Sequence, residues 1–376
     1  MVPLQAHPPV EDQAALIARA LAGDVSPSAF AAREPEALAA TAQDHGVEGL
    51  LWKALQELDS EPARRVEAVL HARARAAVVR DLFTRRDLQA ALDALEAAAV
   101  PALVIKGDAL AYDVYPESWL RPRTDTDVLV RHEDVPAACA ALDAGGYVRS
   151  QALTSGTLVS HQIAFERPDA HGQRHVVDLH WKIVNPHILA DTLDFEVLWR
   201  ERRPVPALGP AAHAPSLVAS AVLACIHRLA HHQGLDRLIW LYDLRLLTHR
   251  FDAADWSALE RLACGRRVAG LCLDGLLQAR ERLGGALPPL TESALRRAAP
   301  GEPSHRYLEG VVHRRDVLTS DLGVLPSWRD RLTLLREHVF PPPAFIRERY
   351  GVKSPILLPV LYVHRLVTGA FKWVWP

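Results

Sequence analysis

The chain has 376 residues, of which 49% are hydrophobic and 23% charged, with a formal net charge of −2 at pH 7. That length supports two or three domains and a sizeable core, and the balance is ordinary for a soluble globular protein. The near-neutral charge excludes a chain drawn to nucleic acid or acidic lipid by its global field, so any polyanion must be met by a local patch.

From the N-terminus, residues 11–97 read as helices. Leu16 to Leu21 and Leu50 to Leu55 are apolar at helical spacing, with breaks near Gly23 to Ser28 and at Ser60 to Pro62. No basic start precedes an apolar run, so no signal peptide is expected. A long Arg-rich helical pattern follows from Ala63 to about Ala98. Its Arg73, Arg75, Arg80, Arg85 and Arg86 read as a solvated face linked to acidic neighbours.

Residues 102–130 are the informative stretch. Ala102 to Ile105 is a short apolar run closed by Lys106-Gly107, and Asp108 to Tyr115 is compatible with a helix. Thr126 to Arg131 alternates polar and apolar, as a half-buried strand does. Asp125 and Asp127 stand two apart, on one strand face. Adjacent carboxylates repel unless a cation lies between them, and magnesium prefers such oxygen ligands. Next comes a helix from about Glu133 to Ala144, stopped by Gly145-Gly146. Ser160 to Arg167 and Arg174 to Lys182 form a hairpin signal, with Asp178 and His180 sharing one face of the second strand. His175 falls on the other face, which argues against a His175, Asp178 and His180 transition-metal site.

Ser216 to His232 and Asp236 to His249 return to helical periodicity. His227 and His231 lie four apart but lack the Glu of a zinc-protease pair, so core packing or cleft lining is the better reading. The four cysteines, at 139, 225, 264 and 272, make no Cys-x-x-Cys pair, and Cys139 and Cys225 sit within apolar helical patterns. A reducing, cytoplasmic setting fits. Ile356 to Trp375 is apolar yet holds His364, Arg365 and Lys372, which disfavours a spanning helix. It reads as a docked amphipathic helix, with peripheral membrane contact as a secondary reading.

The ordered set Lys106-Gly107, Tyr115-Pro116, Arg121-Pro122, Asp125, Asp127, Leu129-Val130, Gly146-Tyr147 and Asp178-Leu179-His180-Trp181 resembles the bacterial uncharacterised nucleotidyltransferase family, a branch of the DNA polymerase β-type superfamily. Trp240 to Asp243 and Phe340 through Tyr350 extend the likeness. The resemblance implies an α+β fold: a small mixed sheet with helices at 98–205, flanked by helical regions at 1–97 and 206–376. It implies metal-dependent transfer of a nucleoside monophosphate from a nucleoside triphosphate, such as ATP, to an unidentified acceptor. The catalytic and metal-binding carboxylates would be Asp125, Asp127 and Asp178, holding two Mg2+ ions or Mn2+. Lys106, Gly107, Arg121 and His180 would contact the nucleotide, His180 in a role supporting Asp178. Arg123 reads instead as a structural ion-pair partner, as does Asp243 as a buried, hydrogen-bonded helix residue. One departure stands out: the superfamily's Gly-Ser or Gly-Gly is Gly107-Asp108 here, and an acidic side chain there would repel a triphosphate unless turned away. That departure sustains the alternative of a nucleotidyltransferase-like binding or regulatory protein without chemistry.

Overall fold

The structure, a computed structural model, describes residues 12–149, 156, 158–168, 172, 174–230, 237–309, 314–352 and 354–374. Four helices come first: α1 (Gln13–Ala22), α2 (Pro35–Asp44), α3 (Glu48–Gln56) and α4 (Glu61–Ala97). Asp12 caps α1 by accepting from the Ala14 amide, and Gly23 ends it at φ +78°, a left-handed conformation that costs a glycine little. Ser60 caps α4, whose 37 residues run for about 55 Å. The first half of α4 buries Val66 and Leu70 among α1–α3, and the last turns bury Leu88, Leu92 and Leu95 beneath the sheet. Of the Arg stripe on α4, Arg73 reaches Glu48, Gln43 and the Ala39 carbonyl, as a solvated face linked to its neighbours should.

The α+β unit holds β1 (Ala102–Val104), α5 (Lys106–Asp113), β2 (Thr126–Val130), α6 (Val135–Ala144), β3 (Val148–Arg149), β4 (Gln162–Pro168) and β5 (Arg174–His180). The strands form one five-stranded mixed sheet in the order β1-β2-β5-β4-β3. Only β2 and β5 run parallel, and their register sets Asp127 beside Asp178 and Leu129 beside His180. Alternation sorts the side chains: Val128, Val130, Val177 and Leu179 enter the core under α4 and α6, while Leu103 and Leu129 face the opposite, larger core. All five residues of β2 are buried, so the half-buried reading of this strand is corrected. It is a central strand covered on both faces, and its polar Thr126 and Asp127 are enclosed by their partners.

After the sheet come α7 (His187–Ala190), α8 (Phe195–Arg200) and a small hairpin of β6 (Arg203–Pro204) and β7 (His213–Ala214). Then α9 (Leu217–Ala230), α10 (Leu238–Thr248), α11 (Ala253–Gly265), α12 (Ala269–Leu283) and α13 (Pro289–Ala298) form a helical array. Gly275 permits its close packing: a β-carbon there would stand 3.0 Å from Cys225 Sγ and 3.1 Å from Leu244 Cδ1. This array and α1–α3 share one apolar core. The last helices are α14 (Arg314–Val324), α15 (Trp328–Val339), α16 (Pro343–Arg349) and α17 (Leu358–Val374). They join the rest through an apolar cluster of Leu318, Leu325 and Leu334 against Leu158 and Val159, and through carboxylates. Glu337 accepts from the Leu158 and Val159 amides at 2.9 and 3.2 Å, and Asp321 from the His187 amide at 2.8 Å.

Candidate active site

The site begins at the end of β1. The Ile105 amide donates to the Asp127 carbonyl, holding the chain against β2, and Lys106 then opens α5 with φ +55°. A non-glycine residue in the left-handed region costs about 1–3 kcal/mol and persists only where its surroundings fix it. What fixes Lys106 is its side chain, whose Nζ lies 2.7 Å from Asp127 Oδ1. Gly107 itself takes an ordinary φ, and an added β-carbon would meet Arg123 Cγ at 3.4 Å and Arg121 Cζ at 3.6 Å, in normal contact. The unusual backbone conformation therefore belongs to Lys106 and not to the glycine.

On the sheet, Asp127, Asp178 and His180 are buried, and one ligand atom from each lies within 4.8 Å of the others. Asp125 sits just before β2 and is exposed at the cleft. The close cluster among the described residues thus contains His180 where the sequence reading expected Asp125. His180 also serves a different carboxylate from the one expected: its Nε2 lies 2.7 Å from Asp127 Oδ1, across the parallel pair. Asp178 Oδ2 instead accepts from Gln162 Nε2 at 2.6 Å, and Asp178 Oδ1 is buried without a hydrogen-bond partner among the described residues.

The electrostatics follow from this crowding. Burial, together with the charges of Asp127 and Asp125, pushes Asp178 up to about 7. Desolvation in the cleft and the charge of Asp127 also raise Asp125. Burial alone would raise Asp127, but Lys106 and the His180 hydrogen bond hold it well below the usual carboxylate range. Burial and the neighbouring Lys106 lower His180, which favours its neutral form. An orphaned buried carboxylate oxygen, among donors that are mainly carboxylate oxygens, fits a divalent cation such as magnesium or manganese. Lys106 and His180 both bind Asp127 Oδ1, so a cation held by Asp127 must take its other oxygen or displace the lysine.

Asp108 does not face the cleft as a free charge. It is 1% exposed, its Oδ1 is paired with Arg123 Nε at 2.7 Å, and burial raises it to about 6 despite that arginine. Arg123 is tied further to Asp81 and the Tyr112 hydroxyl, in the structural role read from the sequence. The repulsion expected of Gly107-Asp108 is removed, because the acidic side chain is turned inward.

The opposite wall is helical. Ser220 and His227 of α9 and Trp240 and Asp243 of α10 line a cleft of about 310 Å³ with Lys106, Asp125, Asp127 and Asp178. Arg121 reaches this wall, gripping Asp243 with two nitrogens at 2.9–3.1 Å, and the Tyr115 hydroxyl donates to the same carboxylate at 2.6 Å. Lys106 and Arg121 both have structural partners that are not their chain neighbours. The partners are Asp127 and Asp243, from a neighbouring strand and a distant helix. Arg237, at the start of α10, also lines the cleft, with Nε donating to the Asp44 carbonyl at 2.8 Å. Gln162, Ser220 and Arg237 were missed. The signal for Gln162 was present, since antiparallel pairing puts β4 beside the Asp178 strand; nothing local marked the other two. His231 lies outside the described residues.

The four cysteines are free, and three are buried. Among the described residues, no helix is long and apolar enough to cross a membrane. No curated protein matches the chain. Residues 31–284, ending at the glycine that closes α12, match the family model described as uncharacterised nucleotidyltransferase, and the chain belongs to that family.

Proposed function

We propose that the protein transfers a nucleoside monophosphate from a nucleoside triphosphate to an acceptor hydroxyl, in the cytoplasm, with divalent ions held by Asp125, Asp127 and Asp178. The observation that carries this reading is the in-register meeting of Asp127 and Asp178 on neighbouring parallel strands, with a carboxylate oxygen of Asp178 left unpartnered at the cleft. Two Mg2+ ions, or Mn2+, bound there would neutralise charge building on the transferred group and on the leaving pyrophosphate.

In this reading the acceptor oxygen attacks the α-phosphorus and the bond to the bridging oxygen breaks, releasing pyrophosphate. The hydroxyl proton passes to the Asp178 carboxylate, which would activate the acceptor beside the bound ions. Gln162 keeps the Asp178 carboxylate aimed by holding one of its oxygens. Lys106, Arg121 and Arg237 meet the β- and γ-phosphates, with Gly107 leaving the first turn of α5 open to them. His180 holds Asp127 in place beside the nucleotide.

A second reading, a nucleotide-binding or regulatory protein without chemistry, is favoured by one observation: the Lys106 ammonium already neutralises Asp127 with no metal required. One experiment separates the two. The protein is incubated with each α-phosphate-labelled nucleoside triphosphate, magnesium or manganese, and lysate of its own cells. The enzyme reading expects label on a lysate component, lost with Asp127→Asn and also lost with Asp125→Asn, at an exposed position, while the melting temperature of the latter holds. Stabilisation by nucleotide without any labelled product would establish the binder instead.

A further inference from the structure

We propose that the last helices form a docking face for an anionic lipid bilayer. Helix α17 packs one side against its neighbours: Tyr362 donates to the Pro341 carbonyl, and Arg365 donates to the His338 carbonyl and lies over the Phe345 ring. Its other side is bare. At 3.6 residues per turn, the exposed positions Leu366, Pro359, Val363, Val367, Val360 and His364 fall in that order round an arc of about 160°. Five of the six are apolar, and Val360, Val363 and Val367 are 65, 59 and 54% exposed. Ile356 and Leu357, at the start of the helix, and Phe340, whose ring lies 6.0 Å from Tyr362, extend the apolar surface. Isolated exposed valines mean little, but a continuous arc on one helix marks an interaction face.

Charge selects the occupant. Residues 326–376 carry eight Lys and Arg against three Asp and Glu, a net +5, so the first 325 residues carry −7 of the chain's −2. The basic excess falls in the same stretch of sequence as the apolar arc and opposes the sign of the rest of the chain. Eight of the 24 aromatic residues also fall in this stretch, among them Trp328, Trp373 and Trp375. An amphipathic helix with basic flanks and interfacial aromatics suits the boundary between anionic headgroups and acyl chains. The helix lies on the bilayer and does not cross it, consistent with the lack of a sufficiently long apolar helix among the described residues. The face lies beyond the 31–284 family match, and it does not depend on the chemistry proposed above.

The test is sedimentation of the full-length protein with vesicles of phosphatidylcholine alone or containing phosphatidylglycerol. Binding should be stronger on the anionic vesicles by about tenfold or more and should weaken at high salt. The Val363→Glu, Val367→Glu double variant should lose it, and Arg347→Glu with Arg349→Glu should weaken it, with melting temperatures near that of the parent. Two outcomes would overturn the proposal: no difference between the two vesicle types, or undiminished binding by the double valine variant. A concentration-dependent dimer in lipid-free solution, dissociated by the same valine changes, would reassign the face to a second copy of the chain.

Discussion

On the sheet wall of the cleft, Asp125 and Asp178 are both raised from their ordinary values by desolvation and by their acidic neighbour Asp127. On the helix wall, Arg121 and Asp243 satisfy each other through a two-pronged ion pair that also accepts the Tyr115 hydroxyl. One wall holds more carboxylates than Lys106 balances; on the other, the Arg121–Asp243 pair is balanced within itself and Arg237 adds a cation. The contrast is one of function in the proposed reading: the paired Arg121 and Asp243 fix the helix wall, and the surplus carboxylates of the sheet wall would hold a cation.

Breaking the helix wall should have the largest effect on stability. Asp243→Ala leaves a buried guanidinium unpaired and a buried phenol without its acceptor, so a loss of about 3–5 kcal/mol is expected in urea denaturation. A loss below about 1 kcal/mol would mean that Arg121 finds other partners and that this wall is not internally neutralised.

The sheet wall should respond in the opposite sense. The Asp178 carboxyl moves from its ordinary 3.8 to about 7 on folding, so the folded state holds its proton more tightly. Stability of the metal-free protein therefore falls as pH rises from 3.8 to 7, and the full cost is felt above 7. Asp178→Asn removes that cost and retains an oxygen for Gln162. It should gain up to about 4 kcal/mol at pH 8 and almost nothing at pH 4, while transfer activity disappears. Melting curves of the two proteins across this range check it; an asparagine variant less stable at pH 8 would refute the picture of unmet charge.

The smallest effect concerns Lys106, a cation paired on the sheet wall. Lys106→Ala should weaken nucleoside triphosphate binding by about tenfold and monophosphate binding less, because the lost charge acts beyond the α-phosphate. Titration calorimetry with both nucleotides checks this. Equal weakening would assign Lys106 to holding Asp127 alone.

Much of the sheet wall was legible in the sequence because it depends on short-range periodicity. Asp125 and Asp127, and then Asp178 and His180, stand two apart within alternating runs, and period 2 is enough to say which side chains share a face. The helix wall was not legible in the same way. Arg121 and Asp243 are 122 residues apart, and nothing near Arg121 distinguishes Asp243 from the closer Asp113 or Glu117. Which acid an arginine chooses is settled by how the fold brings α10 beside the segment from Tyr115 to Arg121, a tertiary outcome. The same limit applies to Asp108. Its position at the phosphate-facing turn was clear, but its inward turn depends on Arg123 arriving from beyond α5. Nor could the sequence show that a lysine would hold a positive φ, since the restraint is a carboxylate on the neighbouring strand.

The parallel pairing of β2 with β5 also sets when the site comes into being as the chain folds. Asp127 and Asp178 are 51 residues apart, and β4 reaches the sheet through β5, not through β2. Bringing such distant strands together requires closing a long loop before any contact rewards it. The nascent chain therefore carries only the Asp125 and Asp127 pair, a weak and solvated cation trap. A slip of one residue in β5 would turn Asp178 and His180 to the far side of the sheet and bring Leu179 to the cleft. Correct register and an assembled carboxylate cluster are thus a single event.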